Sequence, residues 1–108
     1  MAKILYTVCA VLPSVQLRGR FLAWLVPDHV LAVKAGGAES VRVVLPDRTG
    51  DEAPATVETQ YVFPSRKAFE LYLRDHAPAL RADGLKHFPP ETGISYRRQV
   101  AEIAADLP

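Results

Sequence analysis

Apolar and polar residues alternate along four short segments of the chain, and this period of two predicts four β-strands. The predicted strands span residues 3–11, 39–45, 55–63 and 94–103. In the first three of them neither face is purely polar; Tyr6 and Thr7, for example, point to opposite faces that both carry apolar neighbours. A strand with one wet face would alternate cleanly, so these strands are expected to be covered on both sides.

A first amphipathic helix is predicted after the first strand, because apolar residues recur there at three- and four-residue spacing. These residues are Leu17, Phe21, Trp24 and Leu25. Ser14 is the expected N-cap. Pro27 lacks an amide donor and is expected to kink or end the helix, so that residues 28–35 form a short second segment closed by Gly36 and Gly37.

A second amphipathic helix is predicted after the third strand, with Ser65 as its N-cap. Its apolar stripe consists of Phe69, Tyr72, Leu73, His76 and Leu80. Asp83 and Gly84 are expected to end it in a turn. Residues 46–54 are rich in turn formers and charge, which indicates an exposed hairpin loop between the second and third strands.

The order β-α-β-β-α-β predicts an α+β domain with the ferredoxin-like arrangement, in which one four-stranded antiparallel sheet carries both helices on one face. A length of 108 residues fits one such domain. We expect residues 1–103 to form it and residues 104–108 to be a frayed tail. The other sheet face has no helix to cover its apolar side chains, so a homodimer paired through this open face is expected.

Composition narrows the classes of function. The net charge is +1 with no basic stripe, which argues against nucleic-acid binding. No apolar run approaches the roughly 20 residues of a membrane span, and the default location is cytoplasmic.

Cys9 is the single cysteine, which excludes an internal disulfide and a cysteine-built zinc site. Its apolar surroundings favour a buried structural thiol. Three separated histidines make no metal site, and no cofactor signature is present.

Two histidines are candidates for a functional role. His29 follows the predicted kink and lies near Trp24, so it is a candidate general base or hydrogen-bond donor. The alternative is a partly exposed histidine that caps a helical turn. His76 lies on the apolar stripe of the second helix, where a structural imidazole bonded to the backbone is favoured over a ligand-binding one.

Polar residues on the predicted strands could converge on a small-molecule pocket. Tyr6, Gln60 and Tyr61 lie on the central pair of strands, and Tyr6 and Gln60 would place a phenol and an amide in one pocket if they share a face. The alternative for the tyrosines is a cross-strand aromatic pair that stabilises the sheet. Glu58 needs a partner if it is buried, and an arginine of the last strand, Arg97 or Arg98, could supply it within the chain or across a dimer.

Several short segments together resemble a known family. They are Ile4-Leu5-Tyr6-Thr7-Val8, Trp24-Leu25-Val26-Pro27-Asp28-His29, Thr59-Gln60-Tyr61, the run from Ser65 through Leu73 into His76-Ala77-Pro78-Ala79-Leu80-Arg81, and Tyr96-Arg97-Arg98. The chain resembles domain-of-unknown-function family 4286, small bacterial proteins similar in fold to the dimeric α/β-barrel superfamily. That superfamily includes monooxygenases without cofactors, haem-degrading enzymes, polyketide cyclases and stress proteins. The resemblance implies a site between the sheet and the helices of one protomer, and no catalytic role.

Three functions follow in order of preference. The first is a dimeric ligand-binding or accessory protein that holds a small, largely apolar molecule with Tyr6, Trp24, Gln60, Tyr61 and His76. The second is a cofactor-independent enzyme, monooxygenase- or cyclase-like, that uses His29 with Tyr6 or Tyr61 as an acid/base pair. The third is a structural or interaction module with a filled interior.

Overall fold

Four antiparallel strands form a single sheet in the computed structural model, which describes residues 2–50 and 53–108. The strands are β1 (Ile4–Leu12), β2 (Ser40–Val44), β3 (Ala55–Phe63) and β4 (Ser95–Glu102), in the spatial order β2-β3-β1-β4. Each predicted strand lies within one residue of the observed bounds. The sheet order and the antiparallel pairing confirm the predicted ferredoxin-like α+β fold.

The first connection consists of α1 (Val15–Trp24), a π-helical turn (Leu25–His29) and α2 (Val30–Ala35). Ser14 caps α1 as predicted, because its hydroxyl accepts a hydrogen bond from the Leu17 amide at 3.0 Å. Pro27 lies within the π-helical turn and has no amide to donate. The Val30 amide donates to the Leu25 carbonyl, five residues back, so the helical path widens around the proline instead of stopping there.

The second connection consists of α3 (Arg66–Asp75) and α4 (Ala77–His87), joined at His76. Ser65 caps α3 as predicted and accepts from the Ala68 amide at 3.1 Å. The predicted turn at Asp83 and Gly84 is wrong: both residues lie within α4. The helix continues through Gly84 despite the low helix propensity of glycine, and its backbone there passes close to the Trp24 ring, 3.4 Å from where a Cβ would lie.

The core lies between the helices and one face of the sheet. Alternate residues of β1 and β3 point into it, and in register Ile4 pairs with Phe63, Tyr6 with Tyr61 and Leu12 with Ala55. All of these side chains are buried by the two helical connections.

The opposite face of the sheet carries no helix and is called here the open face. It presents Leu5, Thr7, Cys9 and Val11 of β1 beside Thr56, Glu58, Gln60 and Val62 of β3, all of them half-buried. The expectation of a buried Cys9 thiol is therefore wrong for a single chain, because the residue lies on this uncovered face.

The loop predicted over residues 46–54 does connect β2 to β3, although its residues 51 and 52 lie outside the described part of the chain. Within the described residues, no helix is both long and apolar enough to cross a bilayer.

Candidate functional site

A cavity of about 290 Å³ lies between the helix-covered face of the sheet and the helices. Its floor comes from β1, β3 and β4, and its roof from α1, the π-helical turn, α3 and α4. The sheet contributes Tyr6, Val8, Ala10, Thr59, Tyr61, Tyr96 and Arg98, and the helical connections contribute Phe21, Trp24, Leu25, His29, Tyr72, Leu80, Arg81, Gly84 and Leu85. This volume is close to the lower end of the range of about 300–1,000 Å³ that ligand pockets usually have.

Two clusters of aromatic rings bound the cavity. The first aromatic cluster is Tyr6, Tyr61, Phe63, Phe69 and Tyr72, with ring centroids of Tyr6 and Tyr61 6.0 Å apart and those of Tyr6 and Phe69 5.1 Å apart. The second aromatic cluster is Phe21, Trp24, His29, Phe88 and Tyr96, with Phe21 and Trp24 centroids 5.6 Å apart. Rings fixed in this way form rigid, largely apolar walls.

His29 lies at the end of the π-helical turn and stacks on Trp24, with ring centroids 4.7 Å apart and an angle of 30° between the ring planes. Its Nδ1 atom is buried and has no hydrogen-bond partner among the described residues. Burial lowers the pKa of His29, and the negative charge of Asp83 opposes that effect only in part. The lowered pKa favours the neutral imidazole at physiological pH, and the ring is part of the cavity lining.

The cavity phenols remain hydrogen-bond donors at neutral pH. Burial raises the pKa of Tyr72 to about 12 and raises the pKa of Tyr61 further above its usual value. The Tyr6 hydroxyl accepts a hydrogen bond from the Arg81 guanidinium at 3.2 Å and keeps its own proton free to donate. Among the described residues that line the cavity, only Arg81 and Arg98 carry a charge.

The structure brings together four of the six site residues predicted from the sequence: Tyr6, Trp24, His29 and Tyr61 all line the cavity. The other two, Gln60 and His76, lie elsewhere. Tyr6 and Gln60 do not share a face, because Tyr6 pairs with Tyr61 while Gln60 pairs with Thr7 on the open face. There the side-chain oxygen Oε1 of Gln60 accepts a hydrogen bond from Arg42 Nε at 3.1 Å.

His76 is exposed at the junction of α3 and α4, and its ring is stacked beside Tyr72 with centroids 6.4 Å apart. The expectation that it lies buried on the apolar stripe is wrong, because α3 ends one residue before it and α4 begins one residue after it. Within the described residues, no group of three or more His, Cys, Asp or Glu side chains could hold a metal ion.

Sequence reasoning missed the cavity roles of Arg81, Tyr72, Tyr96 and Arg98. The alternation of β4 contained a signal for two of them. Tyr96 and Arg98 are two residues apart and pair with Ala10 and Val8 of β1, so both point to the helix-covered face. The sequence pattern had suggested a different role for Arg98, as one of two possible ion-pair partners of Glu58.

An antiparallel sheet of this order, with helices over one face and a ligand-sized cavity beneath them, defines a ferredoxin-like α+β protein. The chain belongs to the family described as Domain of unknown function (DUF4286), whose pattern matches residues 3–103. The resemblance found in the sequence is thereby confirmed. No curated protein sequence matches this chain significantly.

Solved structures of several proteins share the fold. A dimeric ferredoxin-like protein from an uncultured marine organism is 16% identical, with a TM-score of 0.67 over 99% of this chain and 100% of that one. A putative antibiotic biosynthesis monooxygenase from Bacillus cereus is 10% identical, with a TM-score of 0.68 over 100% and 99% of the two chains. SnoaB, a cofactor-independent oxygenase from Streptomyces nogalater, is 11% identical, with a TM-score of 0.69 over 100% and 99%. At these identities the likeness extends to the fold alone.

Proposed function

We propose that this protein binds a small, largely apolar molecule in the cavity between its sheet and its helices. The observation that carries the proposal is the cavity itself, since a purely structural module would have filled this space with side chains. Aromatic walls with a few convergent polar groups are the usual makeup of a small-molecule site. The polar groups here include the Tyr6 phenol, the His29 imidazole and the Arg81 and Arg98 guanidinium groups.

Replacing Val8 with phenylalanine is expected to weaken binding of a bicyclic ketone, 2-tetralone, by at least about tenfold, or 1.4 kcal/mol. Val8 lines the cavity from the central strand β1, and a phenyl ring there would occupy part of the space. Trp24 is the only tryptophan and also lines the cavity, so a change in its emission reports on binding at this site.

The matched control for this experiment is Val15→Phe, the same change at an exposed position of α1 outside the cavity. It is expected to leave the affinity for 2-tetralone unchanged. Equal affinity of the wild type and Val8→Phe for 2-tetralone would contradict binding in this cavity.

The proposal includes a homodimer paired through the open face. Half-buried apolar side chains such as Leu5 and Val62 face each other across β1 and β3 and have no helix over them. The marine neighbour is described as dimeric, which supports the same assembly here.

Glu58 forms no ion pair with another described residue, and Arg97 lies on the same face with Cys9 between them. A partner protomer would bring an Arg97 within reach of Glu58.

A second candidate function, proton abstraction from a bound molecule, is favoured by one observation: His29 lines the cavity and its Nδ1 has no hydrogen-bond partner among the described residues. A neutral imidazole inside a cavity is a competent general base. The raised pKa values of Tyr61 and Tyr72 fit them as donors toward the enolate that would form, and not as bases. No cofactor is needed for such a step.

Exchange of the α-protons of 2-tetralone with solvent deuterium, followed by NMR, tests this second function. The wild type is expected to accelerate exchange, and the rate is expected to rise with pH and level off once His29 is neutral. Because burial lowers the pKa of His29, half of the maximal rate should be reached below the usual imidazole pKa of 6.5. His29→Gln should lose the acceleration and still bind the ketone; acceleration that survives in His29→Gln would exclude His29 as the base.

A further inference from the structure

The charge of the cavity wall narrows the class of ligand. Its described lining residues include two guanidinium groups and no carboxylate. The two arginines come from different parts of the chain, α4 and β4, which are brought together only by the fold. Both arginines are exposed residues, so they place one sign of charge at the mouth of the cavity, and this favours a ligand with a group of the opposite sign at that end.

Arg81 is held at the cavity by the Tyr6 hydroxyl, to which it donates a hydrogen bond of 3.2 Å. The hydroxyl is a neutral acceptor and leaves the positive charge of Arg81 uncompensated. One of the five N–H donors of a guanidinium is used in this contact, and the others remain for a ligand.

Arg98 approaches the cavity from the sheet. Its guanidinium carbon lies 5.4 Å from the centroid of the Tyr96 ring, which orients the side chain without neutralising it. The positive charges of Arg81 and Arg98 both lower the pKa of Tyr72 against the larger, raising effect of its burial. Both guanidinium groups therefore lie near the same phenol at the cavity wall.

Neither arginine has an acidic partner among the described residues. The ion pairs formed there are Lys3–Glu39, Arg66–Glu102 and Arg74–Asp75, and Asp83 lies beside His87. Water screens the charges of these exposed side chains from each other, and both remain available to pair with an anionic group at the mouth of the cavity. Guanidinium groups match the planar, two-oxygen geometry of a carboxylate particularly well.

We infer that the cavity is selective for an aromatic carboxylic acid, with its ring between the two aromatic clusters and its carboxylate at Arg81 and Arg98. This inference rests on the proposed ligand-binding function and adds the chemical class of the ligand. The aromatic walls select a flat apolar body, and the arginine pair selects one acidic group at its end.

The test compares 2-naphthoate with 2-naphthamide, two probes of nearly equal shape of which only the first is charged. Calorimetric titration of the wild-type protein is expected to give at least tenfold tighter binding of the naphthoate. Arg81→Gln and Arg98→Gln should each lose most of this preference while still binding the naphthamide. Arg20→Gln removes the same charge from an exposed position outside the cavity and should keep the preference.

The possible outcomes separate the two proposals. Equal wild-type affinity for both probes overturns the selectivity inferred here and leaves ligand binding intact. A preference that persists in both cavity variants, or that falls equally in Arg20→Gln, overturns the role of the arginine pair. Binding of neither naphthalene probe nor 2-tetralone to the wild type overturns the proposed function itself. Thermal melts of each variant identify any loss of affinity that comes from unfolding.

Discussion

Phe63→Ala is expected to lower the free energy of unfolding by about 3–5 kcal/mol, the usual cost of truncating a buried phenylalanine. Phe63 is 0% exposed, and its ring centroid lies 5.2 Å from that of Phe69 and 5.1 Å from that of Tyr72. These contacts join the end of β3 to α3. The loss would be a large share of the about 5–15 kcal/mol by which domains are usually stable.

Urea titration followed by far-UV circular dichroism, at one fixed chain concentration, measures this change. Leu107→Ala is the control, because Leu107 is 86% exposed and its removal should change stability by less than about 0.5 kcal/mol. Phe63→Leu restores part of the lost volume and should fall between the two. If Phe63→Ala were no less stable than Leu107→Ala, the packing of α3 on β3 described above would be wrong.

Much of the fold was predictable because local chemistry and tertiary packing agree. The period of two in β3 matches its burial, where every second residue from Ala55 to Phe63 is buried. Ser14 and Ser65 cap helices at the predicted positions, since a hydroxyl before an apolar stripe satisfies free amides of the first turn. Local pattern and final structure diverge at Gly84, which lies within α4 and packs near Trp24, sixty residues away in the sequence.

The candidate site was predictable only in part. Trp24 and His29 lie close together because they are near in sequence, and Tyr6 and Tyr61 because the two central strands place them opposite each other. Alternation alone left open whether Gln60 shares the face of Tyr6, because that depends on the register of β1 against β3; Tyr6 pairs with Tyr61, which turns Gln60 to the open face. The meeting of Arg81 with Tyr6 is a contact between α4 and β1, for which no local pattern exists.

Val62→Glu is expected to convert the proposed homodimer into a monomer. Val62 lies on a central strand of the open face, opposite Leu5, so two symmetric protomers would bury one new carboxylate each. An unpaired buried ion costs several kcal/mol. Because each 1.4 kcal/mol changes affinity tenfold, the dissociation constant of the dimer should rise by more than about a thousandfold. Sedimentation velocity at micromolar concentration should find the wild type at twice the chain mass of 11.9 kDa and the variant at that mass.

The matched control is Leu31→Glu, the introduction of the same charge at a residue of α2 that is 60% exposed and lies on the helix-covered side of the sheet. It should remain dimeric. A wild type that sediments as a monomer, or a Val62→Glu protein that stays dimeric, would contradict pairing through the open face.

The monomeric variant also separates assembly from binding. The described residues that line the cavity belong to one chain and point away from the open face, so a folded Val62→Glu monomer should bind 2-tetralone as the wild type does. Its circular dichroism spectrum should be unchanged, because Val62 is only half-buried in the single chain. If binding disappears while the spectrum stays the same, the cavity depends on the partner protomer to hold β1 and β3 in shape, and the site belongs to the dimer.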